Sequence, residues 1–158
     1  MAEPGFSAAD ERVMQRALEL AERAAEHGDV PIGAVVARGE EVLGAAGNER
    51  ELRRDPTAHA EVLAMRQAAK RLGGWRLAET SIYVTLEPCA MCAGAIALAR
   101  VPRLLFGAPD PKGGAAGGVI DLFAPPLSAA LNHRPEVQPG LLADESAALL
   151  EDFFSARR

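Results

Sequence analysis

Cys89 and Cys92 are the only two cysteines in the chain, and they stand three positions apart directly after Pro88. A Cys-x-x-Cys at a helix start can bind a metal, cycle between dithiol and disulfide, or be two buried small side chains. His59 and Glu61 lie upstream and bear on this choice. One imidazole and two thiolates are a ligand set typical of zinc, and three protein ligands leave the fourth tetrahedral position to water, as in catalytic sites.

Glu61 follows His59 by two positions. This spacing is poorly suited to a further metal ligand, but it is well suited to a carboxylate that reaches a water bound to the metal. A carboxylate in that place can accept a proton from water and deliver protons to a substrate nitrogen and a leaving amine. A redox pair would not require the His-Ala-Glu motif, and a structural zinc would require a fourth ligand. Together the two motifs favour a catalytic zinc site of the kind found in zinc deaminases.

Length and composition predict one domain spanning residues 1–158, with 49% apolar and 25% charged residues. No apolar run is long enough to span a membrane. The first residues lack the basic and apolar segments of a signal peptide, so we expect a cytoplasmic protein. The net charge of −5 argues mildly against a nucleic-acid partner, whereas local arginine clusters weaken that objection. Composition alone leaves the partner open.

Hydrophobic periodicity predicts helices and strands that alternate along the chain. The predicted helices are 8–27, 58–72, 89–100 and 144–156, and the predicted strands are 32–37, 41–47, 82–86 and 103–107, with a short fifth strand at Val137. Residues 48–57 and the glycine-rich stretch 110–118 are predicted loops, and 119–135 stays ambiguous. This alternation favours a layered α/β domain, and the hairpin at 32–47 makes its sheet mixed.

Five segments resemble the bacterial tRNA-specific adenosine deaminases, over nearly the whole chain: Asp55–Glu61, Tyr83–Ala95, Phe106–Asp110, Asn132–Arg134 and Gly140–Phe154. The resemblance implies a three-layer α/β/α cytidine-deaminase-like fold, a mixed five-stranded sheet flanked by helices, and a homodimer. It also implies hydrolytic deamination of adenosine to inosine at the wobble position of a tRNA anticodon loop, chiefly in an arginine tRNA.

Residue by residue, the resemblance implies that His59, Cys89 and Cys92 bind one Zn²⁺ per subunit and that Glu61 is the proton shuttle. Asn48 matches a residue that hydrogen-bonds the flipped base, although without the resemblance it is typical of a strand-end turn. Asp110 matches a position near the nucleotide preceding the target. Further candidates for substrate binding are Ala60, His133, Arg134 and Phe153; candidates for phosphate contacts are Arg50, Arg53, Lys112, Arg134, Arg157 and Arg158.

Two positions depart from the pattern of that family, since Gly113 and Gly118 stand where hydroxyl residues are expected. We therefore expect a more mobile loop that lacks any hydrogen bonds from those hydroxyls. Two other functions stay open: a deaminase of a free base, nucleoside or nucleotide, and a zinc-stabilised binding module without catalysis. Glu61 argues against the second of these.

Overall fold

Five β-strands form one mixed sheet in the order β2-β1-β3-β4-β5. A computed structural model, which describes residues 5–157, gives their bounds. The strands are β1 (Gly33–Arg38), β2 (Glu41–Gly47), β3 (Ser81–Leu86), β4 (Arg103–Ala108) and β5 (Glu136–Pro139). Strand β1 pairs antiparallel with β2 and β3, whereas β3, β4 and β5 run parallel. The predicted mixed sheet and its short fifth strand are confirmed.

Five α-helices flank this sheet: α1 (Ala8–Glu26), α2 (Arg50–Arg53), α3 (Ala60–Leu72), α4 (Ala90–Leu98) and α5 (Ala143–Ser155). Helices α1 and α5 pack on one face, and α3 and α4 belong to the hydrophobic cluster on the other. The predicted three-layer α/β/α architecture is therefore confirmed. None of the helices in the described part of the chain is long and apolar enough to cross a membrane.

Alternate residues of β1 face opposite layers, and both sets are buried. Ala34 and Val36 join the core beneath α3, whereas Val35 and Ala37 join the core beneath α1. A strand covered on both faces reads as a continuous apolar run, which is why the sequence pattern predicts a buried strand here. Gly44 of β2 lets α3 approach closely, because an added Cβ would lie 2.1 Å from the Ala64 carbonyl oxygen.

A capping box begins α1. The Asp10 N–H donates to the Ser7 hydroxyl at 3.0 Å, and the Ser7 N–H donates to the Asp10 carboxylate at 3.1 Å. The same carboxylate accepts hydrogen bonds from Tyr83 on β3 and from the Arg103 guanidinium on β4. The cap therefore also attaches α1 to the amino-terminal ends of two central strands.

The prediction of a loop over 48–57 was wrong at Arg50–Arg53, which forms α2. The Arg50 N–H donates to the Asn48 side chain at 3.2 Å, and the N–H groups of Glu51 and Leu52 donate to the buried carboxylate of Asp29 at 2.6 and 3.2 Å. Because Asp29 lies in another segment of the chain, periodicity within 48–57 carries no sign of its contribution to the helix. In the ambiguous stretch 119–135, Leu127–Ala130 forms a short 3₁₀ helix.

Candidate metal centre and active-site cavity

The predicted metal ligands meet at one edge of the sheet. The parallel strands β3 and β4 end at this edge, β2 also ends there, and β1 begins there. Ligands of open α/β sheets typically bind outside the carboxyl ends of parallel strands, where the strand order reverses. The segment after β3 carries Cys89 and Cys92, and the segment after β2 leads to His59.

Two helix starts bring the three side chains together. His59 is the residue that precedes α3, Cys89 precedes α4, and Cys92 lies in the first turn of α4. The His59 Nδ1 atom lies 3.7 Å from the Cys89 Sγ and 3.5 Å from the Cys92 Sγ. All three atoms lie within 4.8 Å of one another, so they can bind one metal ion together.

The two thiols are electrostatically unequal. A hydrogen bond from Cys92, with another from His59, lowers the pKa of Cys89 to about 3. The same contact with Cys89 raises the pKa of Cys92, and burial adds to that effect. The hydrogen bond to Cys89 also raises the pKa of His59. The site thus holds at least one thiolate at neutral pH, the form that binds metals.

Glu61 lies in the first turn of α3 beside these ligands and is only 4% exposed. Burial raises the pKa of its carboxyl to about 7, the Cys89 charge acts in the same direction, and His59 opposes it. A carboxyl near neutrality can exchange protons in both directions at physiological pH. A bound cation would lower this pKa, because a positive charge favours the ionised form.

A cavity of about 390 Å³ opens over the centre, a volume within the range of small-molecule sites. Its lining includes His59, Glu61 and Cys89 and three of the predicted substrate residues, Asn48, Ala60 and Asp110. The buried Asn48 amide is held in place on both sides, since it donates to the Val30 carbonyl and accepts from the Arg50 N–H. The structure therefore brings these predicted residues together.

The other three predicted substrate residues lie outside the cavity lining. Phe153 is buried against the body of the protein, His133 hydrogen-bonds the Val101 carbonyl at 2.7 Å, and Arg134 is exposed. Phe154, the neighbour of Phe153, lines the cavity instead. On a helix, adjacent residues point in directions about 100° apart, so only one of the two phenylalanines can face the site.

The candidate phosphate-binding residues fall into different environments. Arg50 and Lys112 are exposed and line the cavity. Arg53 forms an ion pair with Glu49 at 2.8 Å, and Arg157 lies over the Phe153 ring at 3.5 Å from its centroid. Arg158 lies outside the described residues.

Several residues of the cavity were not predicted from the sequence: Val30, Ile32, Leu86, Glu87, Pro109, Pro111, Leu150 and Phe154. All but Glu87 are apolar, and they lie at or next to strand ends, in the loop after β4 or on α5, where local patterns do not distinguish them from core residues. A detectable signal existed for Glu87 alone, because a glutamate directly before Pro-Cys-x-x-Cys interrupts an otherwise apolar strand end.

Hydrogen bonds hold the 110–118 loop although Gly113 and Gly118 lack the hydroxyl groups expected at these positions. The Gly113 N–H donates to the Asp110 carboxylate at 3.2 Å, and the Gly118 N–H donates to the Glu87 carboxylate at 2.8 Å. Backbone hydrogen bonds to two carboxylates thus order this loop.

The α/β/α fold and a His/Cys/Cys cluster that could bind a metal ion, beside a buried glutamate, are the features of a deaminase. A profile of the MafB19-like deaminase family matches residues 8–158. A tRNA-specific adenosine deaminase of Bacillus subtilis (strain 168) is 45% identical over 149 residues, 94% of this chain and 91% of the relative. One of Haemophilus influenzae is 45% identical over 150 residues, 94% of this chain and 85% of the relative.

Solved structures agree with these sequence matches. One from a study of A-to-I editing by tRNA:A34 deaminases has a TM-score of 0.81 at 45% identity, covering 88% of this chain and 99% of that chain. A guanine deaminase from Nitrosomonas europaea has a TM-score of 0.80 at 27% identity, covering 97% of this chain and 88% of that chain. The chain belongs to the MafB19-like deaminase family and, within it, to the tRNA-specific adenosine deaminases.

Proposed function

We propose that this protein converts the wobble adenosine of a tRNA anticodon loop, chiefly that of an arginine tRNA, to inosine, consuming water and releasing ammonia. The observation that carries this proposal is the joining of the His59–Cys89–Cys92 cluster and the buried Glu61 within one cavity. The 45% identity to tRNA-specific adenosine deaminases over 94% of the chain supports the choice of substrate.

The donor atoms support zinc as the metal. Zn–S bonds of about 2.3 Å and Zn–N bonds of about 2.05 Å in a tetrahedron place sulfur and nitrogen ligands about 3.6 Å apart. The distances from His59 Nδ1 to the two sulfurs are 3.7 and 3.5 Å, so these two separations match that geometry. Zinc held by His59, Cys89 and Cys92 would lower the pKa of a water and so supply the nucleophile.

Glu61 would act as the proton shuttle. Its burial in the cavity wall keeps bulk water away from the carboxyl, which then exchanges protons only with groups inside the site. The carboxylate would take one proton from the attacking water and pass it to the adenine ring nitrogen. It would then take the second proton from the hydroxyl added to the ring carbon and deliver it to the leaving amine. These transfers require that the same carboxyl both accept and donate, which its place in the cavity wall, two residues after His59, allows.

Asn48 and Ala60 would orient the base. The Asn48 amide is already fixed by two protein hydrogen bonds, so little side-chain entropy is lost when it also contacts a base. Ala60 is the first residue of α3, where helical geometry gives the backbone N–H no carbonyl partner. That N–H can donate to a ring nitrogen. Because anticodon-loop bases are unpaired, placing one in the cavity costs less than extracting it from a duplex.

The exposed cations Arg50 and Lys112 would bind phosphates on the two sides of the target nucleotide. Asp110 would contact the preceding nucleotide, and Phe154 offers an exposed ring for base stacking. His133 and Arg134, outside the cavity, would contact RNA beyond the target. Phe153 would act indirectly, by holding Arg157 through the stacking contact.

We propose that the protein is a homodimer, and the exposed apolar surface of α4 is the evidence for it. This helix contains no charged side chain, and a helix apolar on all sides is normally covered on all sides. Yet Leu98 is 70% exposed and Met91 38% exposed in the single chain. An apolar groove that includes Ala95 of α4 and the exposed Trp75 continues this surface. A second copy related by a two-fold axis would cover the same surface on both chains.

We further propose that the chain works as a single domain in the cytoplasm, where a reducing environment keeps Cys89 and Cys92 available as ligands.

The test is a comparison of substrates with the zinc-loaded protein. An arginine tRNA anticodon stem-loop with adenosine at the wobble position is compared with free adenosine, cytidine and guanine. Inosine formed only in the RNA supports the proposal. Turnover of a free base or nucleoside with the RNA untouched would favour the alternative function, to which the likeness to a guanine deaminase also points.

A further inference from the structure

Glu87 is a buried carboxylate that no proposed chemical step uses. It is 3% exposed and directly follows β3, two residues before Cys89. One of its oxygens accepts from the Asp110 N–H at 3.0 Å, and the other accepts from the N–H groups of Ala116 and Gly118 at 2.9 and 2.8 Å. No ion pair within residues 5–157 involves Glu87. Three backbone hydrogen bonds thus compensate a charge without a counterion.

These hydrogen bonds join the two sides of the cavity. Glu87 belongs to the turn that carries the metal ligands, whereas its three partners belong to the 110–118 loop. The Ala115 N–H adds a fourth connection by donating to the Pro88 carbonyl at 2.9 Å. Four residues of the loop side, Pro109 to Lys112, line the cavity.

The loop is shaped around this carboxylate. A Cβ added at Gly114 would lie 2.3 Å from the Glu87 Cδ and 2.4 Å from its Oε2, so only glycine leaves room for the carboxylate. The Asp110 carboxylate in turn accepts the Lys112 and Gly113 N–H groups, which fixes the cavity-lining end of the loop. One buried side chain therefore determines where Asp110 and Lys112 stand relative to the metal ligands.

Stability alone does not account for such a group. Burial of a charge without a counterion is costly, and apolar replacements of buried ionic groups are often neutral or stabilising. The benefit of Glu87 is the fixed position of a glycine-rich loop that would otherwise lose much conformational entropy when substrate binds.

We propose that Glu87 is a positioning residue that holds the 110–118 loop in its substrate-binding conformation and in register with the metal ligands. This inference rests on the proposed function, since the loop would contact the nucleotide that precedes the target base. Both oxygens of Glu87 accept N–H groups of the loop, so it acts through substrate affinity rather than through the chemical step.

The test is Glu87→Gln, which keeps the volume of the side chain. A Gln amide has one acceptor oxygen, so its NH₂ must face at least one backbone N–H donor. Hydrogen exchange followed by mass spectrometry is expected to be at least about tenfold faster over 110–118 in this variant. The KM for the stem-loop rises about tenfold, while kcat changes by less than about threefold and zinc content is unchanged.

Asp10→Asn is the matched control, because Asp10 is a similarly buried carboxylate at the opposite ends of β3 and β4. It is expected to lower stability without changing loop exchange or KM. Gly114→Ala is a second route to the same state, since its Cβ displaces an intact Glu87 carboxylate. It is expected to reproduce the KM effect, and it replaces Glu87→Gln should that variant not fold.

Two results for Glu87→Gln would overturn the proposed role: a hydrogen-exchange rate over 110–118 equal to that of the wild type, or a decrease in kcat with no change in KM. Failure of the proposed function has a different signature. If the wild type leaves RNA untouched and deaminates a free base, the hydrogen-exchange measurement over 110–118 still decides whether Glu87 positions the loop.

Discussion

Replacing Leu98 with aspartate tests the proposed dimer surface. Leu98 lies near the end of α4 with 70% of its surface exposed in the single chain. A charge at an exposed position costs the folded monomer little. If the partner covers this helix face, however, the substitution removes a buried leucine twice, because a two-fold interface contains each residue in two copies.

The expected loss follows from that exposure. Full burial of a leucine side chain contributes about 1.5–3 kcal/mol, so burial of the exposed 70% contributes about 1–2 kcal/mol per copy. Two copies give about 2–4 kcal/mol, which corresponds to a rise in the dimer Kd of about 30- to 700-fold. The penalty for desolvating two aspartates adds to this value.

Sedimentation velocity over a concentration series measures the Kd directly, and thermal unfolding at low protein concentration checks that the monomer stays folded. Leu127→Asp is the matched control, since Leu127 is also an exposed leucine, 43% exposed, and lies outside α4. A wild-type dimer whose Kd is unaffected by Leu98→Asp would refute the assignment of α4 to the interface.

Three further outcomes follow from the site and the core. Glu61→Gln is expected to keep zinc and fold while lowering single-turnover inosine formation at least about 100-fold, and retained activity would contradict the shuttle role. Cys92→Ser is expected to lower zinc content well below one ion per chain by elemental analysis, and zinc addition should restore activity to chelated wild type but not to this variant. Burial acts to raise the pKa of Asp10, but hydrogen bonds from Arg103, Ser7 and Tyr83 outweigh it and lower that pKa from 3.8 to about 2. The ionised form therefore contributes about 2 kcal/mol to the free energy of unfolding above pH 4, and this contribution is lost as the pH falls towards 2. The stability difference between wild type and Asp10→Asn should shrink over the same interval, and a pH-independent difference would count against it.

Local signals account for the parts of the fold that the sequence predicts well. Ser7 and Asp10 mark the start of α1 because their hydrogen bonds connect residues three positions apart. The helix α2 escaped prediction because Asp29, whose carboxylate accepts two of its N–H groups, lies in another segment of the chain. Within α3, Leu63 and Ala68 are buried whereas Val62 and Ala69 are only partly buried, a difference that the apolar pattern alone does not show.

In the candidate site, too, some features follow from local sequence signals and others depend on distant contacts. The residue types and spacings of the metal cluster carry its chemistry, so the sequence alone predicts which side chains meet. The placement of Phe154 rather than Phe153 in the cavity depends on the rotation of α5 against the sheet, which no local pattern specifies. Residue types mark Glu87 itself but not its contacts, because its partners are backbone N–H groups.

Position-resolved mapping of inosine tests the central claim most directly. The zinc-loaded protein is incubated with unmodified total tRNA, and inosine is located by sequencing. We expect inosine at the wobble position of the arginine tRNA that carries adenosine at that position, and no inosine when Glu61→Gln replaces the wild type. Wild-type protein that leaves this adenosine unchanged, or deaminates adenosines at unrelated tRNA positions, would contradict this claim.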